Sequence, residues 1–176
     1  MKTKIPVNLI KELRDATSAS IAQCRKALEE SAGDLNKAAA LLRKRGLEIA
    51  QTKQDRVAKE GRIESYIHFG NKIGVLLEVD CETDFAARNS EFAQFAKDLC
   101  MQIAASNPRY VKKEDIPADI LEQEENKEEF IKNNCLMNQV FVKDASVTIN
   151  DYLGSLISKI GENIIVRRFT RYQIGR

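Results

Sequence analysis

Residues 62–81 read RIESYIHFGNKIGVLLEVDC. Both halves of this stretch, Arg62 to Phe69 and Ile73 to Cys81, alternate apolar and polar residues, and Gly70-Asn71 between them is a turn signal. The pattern is that of a β-hairpin. A two-residue loop would pair Phe69 with Lys72 and mix the faces. A three-residue loop, Gly70 to Lys72, pairs Phe69 with Ile73, Ile67 with Val75, Ser65 with Leu77 and Ile63 with Val79. That register gathers the apolar residues on one face and is the one the alternation predicts. His68 then lies opposite Gly74 on the other face, beside Tyr66. A nucleophilic dyad of His68 and Cys81 is excluded by the same register. Cys81 lies seven residues beyond Gly74, or ~23 Å at about 3.3 Å per residue.

The hairpin runs into Cys81-Glu82-Thr83-Asp84-Phe85-Ala86-Ala87-Arg88-Asn89, a loop between a strand and a helix. Ser90 can cap that helix, whose core stripe is Phe92, Phe95, Leu99 and Ile103. From spacing alone the plainer reading of the loop is structural. Thr83 or Asp84 caps a first turn, and Phe85 plugs the core. Cys81 reads as a small core residue at a strand end.

Upstream, Val7, Ile10 and Leu13 share a helical face. Thr17-Ser18 is a place for a break and a new cap, and Ile21, Cys24 and Leu28 stripe a second helix. Gly33-Asp34 ends it and starts a third, with Leu35, Ala38, Ala39 and Leu42 as its stripe, stopped near Gly46. Three short amphipathic helices predict a compact three-helix bundle over residues 1–54. Leu47 to Gly61 is polar with alternating charge, a helical extension into a linker with the boundary near Lys53. The core domain then covers residues 55–176. Pro108, Lys112 to Asp115 and Pro117 break the chain. Ile120 and Leu121 begin a helix ending near Phe130 and Ile131, with Glu122 to Glu129 as its solvated face. Val147, Tyr152, Leu153, Leu156 and Ile157 predict a last helix. Ile160-Gly161-Glu162-Asn163 is the turn into a strand from Ile164 to Tyr172. The fold class is α+β, a helical bundle followed by a small antiparallel three-stranded sheet packed on helices.

Composition narrows the function. The 176 residues are 43% hydrophobic and 31% charged, and 28 basic residues balance 26 acidic ones at a net +2. A nucleic-acid binder usually carries a basic surplus, so this balance favours a protein partner. Arg167, Arg168 and Arg171 invite an RNA reading, but only isolated aromatics accompany them. Cys24, Cys81, Cys100 and Cys135 form no close pair and His68 is the single histidine, so no metal centre is expected. The scattered cysteines read as reduced core thiols. No signal peptide or membrane-spanning run is present, which predicts a cytoplasmic protein with no membrane contact. Paired carboxylates, a glycine-rich phosphate loop and a triad are all absent, so the sequence predicts a binding protein without cofactors rather than an enzyme.

The N-terminal helices resemble a ubiquitin-associated-type bundle, a docking fold used in unrelated settings. More specific is KELRDATSASIAQCRKALEESAGDLNKAA, Lys11 to Ala39, which closely resembles the opening module of elongation factor Ts in Leu13, Arg14, Thr17, Cys24, Arg25, Lys26, Ala27 and Leu28. Glu-Val-Asp-Cys-Glu-Thr-Asp-Phe resembles that family's Thr-Asp-Phe-Val signature, with Ala86 in place of the usual Val. Lys159 to Ile164 and Arg167-Arg168 look like a family motif near the core sheet.

The resemblance implies a guanine nucleotide exchange factor for elongation factor Tu. Its loop, here Thr83, Asp84, Phe85 and Ala86, enters the partner's GTPase domain and dislodges magnesium. It also implies partner contacts at Arg14, at Ile21 and Ala22 where the family often has a Met pair, at Lys53, and at His68 within Ser65-Tyr66-Ile67-His68. From spacing alone His68 reads equally well as an exposed strand histidine. One hairpin and one Thr-Asp-Phe loop match the family's short members, which pair as homodimers, and a one-copy sheet with an open edge or face argues the same way.

Overall fold

A computed structural model of the chain describes residues 5–17 and 19–175. Three helices come first, α1 (Val7–Thr17), α2 (Ile21–Glu30) and α3 (Leu35–Lys53). Leu13, Cys24, Ala27, Leu28 and Ala38 form their own buried cluster. The predicted Thr17-Ser18 cap is corrected. Ser18 lies outside the described residues, and α2 is capped by Ser20, which accepts from the Gln23 backbone N–H while the Gln23 side chain accepts from the Ser20 N–H. This reciprocal arrangement satisfies two donors that a helix start leaves unpaired. Gly33 takes a left-handed turn with φ 86°, and Asp34 caps α3, as the residues predict.

Gly46 does not stop α3. It is buried mid-helix where α3 crosses α8 (Ile149–Ile160), and a Cβ there would meet the Gly154 backbone at 3.2 Å. The glycine permits close approach of two helices, which is why it sits inside one. Through this crossing the third helix of the bundle is also packed on the rest of the chain.

The sheet has the order β1-β2-β5, all antiparallel, from β1 (Glu60–Ile67), β2 (Ile73–Cys81) and β5 (Ile164–Gln173). A small hairpin, β3 (Val140–Phe141) with β4 (Asp144–Thr148), was not legible in the sequence. The hairpin register differs by one residue from the predicted one. Ile67 pairs with Gly74, Tyr66 with Val75 and Ile63 with Glu78. His68 donates its backbone N–H to Ile73, so the connection is an even-numbered one through Gly70 and Asn71, both at positive φ.

A one-residue slip exchanges the faces of a strand. Val75, Leu77, Val79 and Cys81 face the core, while Ile63 and Ile67 face outward and Arg62, Glu64 and Tyr66 lie on the inner side. The Arg62–Glu64 ion pair at 2.8 Å makes the inner position tolerable for both charges. Apolar residues therefore occupy both faces of the sheet.

Helix α5 (Ser90–Ser106) lies against the inner face with Phe92, Phe95, Leu99 and Ile103 fully buried. Its cap is Asn89, one residue before the predicted Ser90. The single predicted helix over the acidic run is two, α6 (Ala118–Gln123) and α7 (Lys127–Asn134). Asn126 breaks the run by capping α7 through the Glu129 N–H. All four cysteines are free and buried, and burial pushes the Cys81 thiol up to about 11 and Cys100 up to about 12.

Candidate functional site

The last β2–β5 pair is Cys81 with Ile164. The 82–89 segment leaves on one side, and the 161–163 turn approaches on the other. Thr83 caps α4 (Asp84–Ala87), its hydroxyl accepting from the Ala86 N–H at 3.2 Å. The short helix turns Ala86 inward, 2% exposed, and Phe85 outward, 82% exposed. Spacing alone placed the ring in the core. Burial of Ala86 instead fills that role, leaving Phe85 on a capped turn with its ring in solvent. Asp84 is exposed beside it and pairs with Arg88 at 3.0 Å.

The turn is held from a distance in sequence. The Glu162 carboxylate accepts from the Glu82 N–H at 3.1 Å, the Thr83 N–H at 3.0 Å and the Thr83 hydroxyl at 2.6 Å. In return Glu82 accepts from the Asn163 N–H at 2.6 Å. The Asn163 side-chain amide, nearly buried, donates to the Arg56 carbonyl at 2.7 Å, and Lys53 donates to the Gly161 carbonyl at 2.6 Å. Neither Glu82 nor Glu162 was singled out as a site residue from the sequence. Their partners lie about 80 positions away, and nothing in local spacing signals such a pairing.

The remaining expected contact residues are spread over the surface. Arg14 and Ile21 are exposed on α1 and α2, and Ala22 is exposed beside Ile21. Lys53 ends α3 within reach of the loop's tether. His68 is exposed at the hairpin end, with its Nδ1 3.0 Å from the Tyr66 hydroxyl. Arg167 and Arg168 are paired with Asp80 at 2.7 Å and Glu78 at 2.5 Å. Arg171 points inward and donates to the Ala104 carbonyl at 3.0 Å. Arg167 and Arg168 are thus each matched by a carboxylate of β2, and Arg171 by a backbone carbonyl. Among the described residues no group of His, Cys, Asp and Glu fits a metal ion, and no helix is long and apolar enough to cross a membrane.

The sequence profile described as Elongation factor TS matches residues 5–129. The chain belongs to the elongation factor Ts family. It is 48% identical to the elongation factor Ts of Thermodesulfovibrio yellowstonii, over 98% of this chain and 97% of that protein. It is 46% identical to that of Methylacidiphilum infernorum over 99% and 98%. It is 44% identical to that of Thermotoga neapolitana over 98% and 98%. The family is that of the nucleotide exchange factor for elongation factor Tu in translation elongation.

Proposed function

We propose that this chain binds the GDP form of elongation factor Tu and uses the 83–86 turn to loosen magnesium and then GDP, after which GTP refills the site. The observation that carries the reading is Phe85. An aromatic ring 82% exposed on a capped and clasped turn is the state of a wedge before it meets its pocket. Magnesium demands near-ideal octahedral geometry, so a small displacement of one ligand weakens it. In this reading the ring separates packed elements beside the metal, and Asp84 anchors the turn. No covalent bond is made or broken, so the chain acts as an exchange factor and not as an enzyme. Factor and GDP oppose each other on the partner, each weakening the other by the same ratio. The N-terminal module, residues 1–54, docks through Arg14, Ile21 and Ala22. The core, residues 55–176, supplies the turn, with Lys53 at the junction and His68 as a separate contact. The setting is the cytoplasm, with neither membrane nor nucleic acid as a direct partner.

Release of fluorescent GDP from elongation factor Tu, followed by stopped flow, tests this. Substoichiometric amounts of the chain are expected to accelerate release with turnover. Binding without acceleration would reduce the chain to a docking protein.

The same reading includes a homodimer. The outer face of the sheet carries Ile63, Ile67, Leu76 and Tyr172, each 49–73% exposed, with Phe69 and Ile174 at the hairpin end. Exposed large apolar residues gathered on one sheet face mark an interaction surface, and a second copy of the same one-core chain is the partner proposed for it. Light scattering is expected to give about twice the 19.9 kDa chain mass. Ile67→Lys with Leu76→Lys is expected to give the monomer mass with an unchanged helical spectrum. A monomeric parent, or a double variant that stays dimeric, would remove this face from the account.

A further inference from the structure

We propose that Glu162 is a positioning residue for exchange, whose carboxylate sets the posture of the turn from which Asp84 and Phe85 project. This rests on the reading of that turn as the exchange element. The helix that carries the ring has four residues, too few to hold a conformation alone. Its orientation must come from contacts outside it. Thr83 supplies the cap, and Glu162 fixes Thr83. The hydroxyl donates its one proton to Glu162 Oε1, which leaves its lone pairs facing the Ala86 N–H. The second carboxylate oxygen accepts both the Glu82 and Thr83 backbone N–H groups. One carboxylate therefore orients the cap and secures the chain on its approach to it.

Glu162 is itself fixed on three elements. Gly161 ends α8 in a left-handed conformation, φ 85°, and Asn163 leads directly into β5. Lys53, the last residue of α3, donates to the Gly161 carbonyl, and Asn163 donates to the Arg56 carbonyl just beyond that helix. The Asn163 N–H closes the clasp onto Glu82. The ring thus projects from a base braced by β5, α8 and the helix that comes from the N-terminal module. A clasp of this kind holds the wedge in its working direction before the partner is met, so its ordering cost is not met again in the complex. Docking through Arg14, Ile21 and Ala22 does not depend on the clasp, so its loss shows in the rate at saturation more than in binding.

The test is stopped-flow GDP release from elongation factor Tu with the full chain, comparing Glu162→Ala, Glu162→Gln and Phe85→Ala. Glu162→Ala is expected to lower the maximal rate at saturating factor by about tenfold or more, a large part of the loss that removing an aromatic anchor brings. The half-saturating concentration and the melting temperature should stay close to those of the parent. Glu162→Gln is expected to fall between them, because an amide offers one acceptor oxygen where the carboxylate offers two. If Glu162→Ala kept the full maximal rate while Phe85→Ala lost it, the positioning role would be overturned and the wedge reading would stand. A loss in Glu162→Ala seen only in half-saturation, or in step with melting, would also overturn it. Full activity of Phe85→Ala would remove the wedge reading and this inference with it.

Discussion

Phe85→Ala is expected to slow factor-stimulated GDP release by about thirtyfold or more, the loss typical of an aromatic anchor at an interface centre. The melting temperature should not change. The ring is 82% exposed, so its removal leaves no cavity and strips no core contact. The cap is made by the Thr83 hydroxyl and the Ala86 N–H, neither of which involves the ring. Alanine also has a high preference for a helix, so α4 keeps its form. Stopped-flow release paired with a thermal scan checks both halves. Unchanged exchange would show that the ring is not the wedge. A large drop in melting temperature would show that the ring is packed after all.

Phe95→Ala should do the opposite. Ten residues on, the same side chain is fully buried in α5 and meets the Tyr152 ring edge-on with centroids 4.9 Å apart. Removing a buried phenylalanine ring leaves a cavity and costs ~3–5 kcal/mol. At roughly 2–4 °C per kcal/mol for a chain of this size, the melting temperature falls by roughly 6–20 °C. Exchange measured well below that temperature should persist, because the turn and its clasp remain. Circular dichroism melts give the answer, and an unshifted melt would place Phe95 outside the packed core. The two phenylalanines separate function from stability within one segment of chain.

The contrast also shows what the sequence could carry. The stripe Phe92, Phe95, Leu99 and Ile103 has helical spacing, and its burial follows from that spacing. Alternation in β2 is likewise legible, since Val75, Leu77, Val79 and Cys81 do face one core. In β1 the same rule fails. The alternation points Ile63 and Ile67 inward, because apolar residues usually face a core, yet the register places them on the outer face. Turn parity decides the register, and Gly70 and Asn71 fit either parity. Phe85 was ambiguous for a related reason. A lone aromatic beside a cap fits a plug as well as a wedge, and only packing distinguishes them. The Glu82–Glu162–Asn163 clasp joins segments about 80 residues apart, so only the folded chain displays it.

The measurement closest to the central claim is the fold-stimulation of GDP release by this chain, taken first with magnesium present and again after its chelation. If the 83–86 turn works by loosening magnesium, stimulation is large with the metal and much smaller without it, because part of the factor's work is already done. Equal stimulation in both conditions would contradict the account, and would mean that the turn acts on GDP by a route that does not involve the metal.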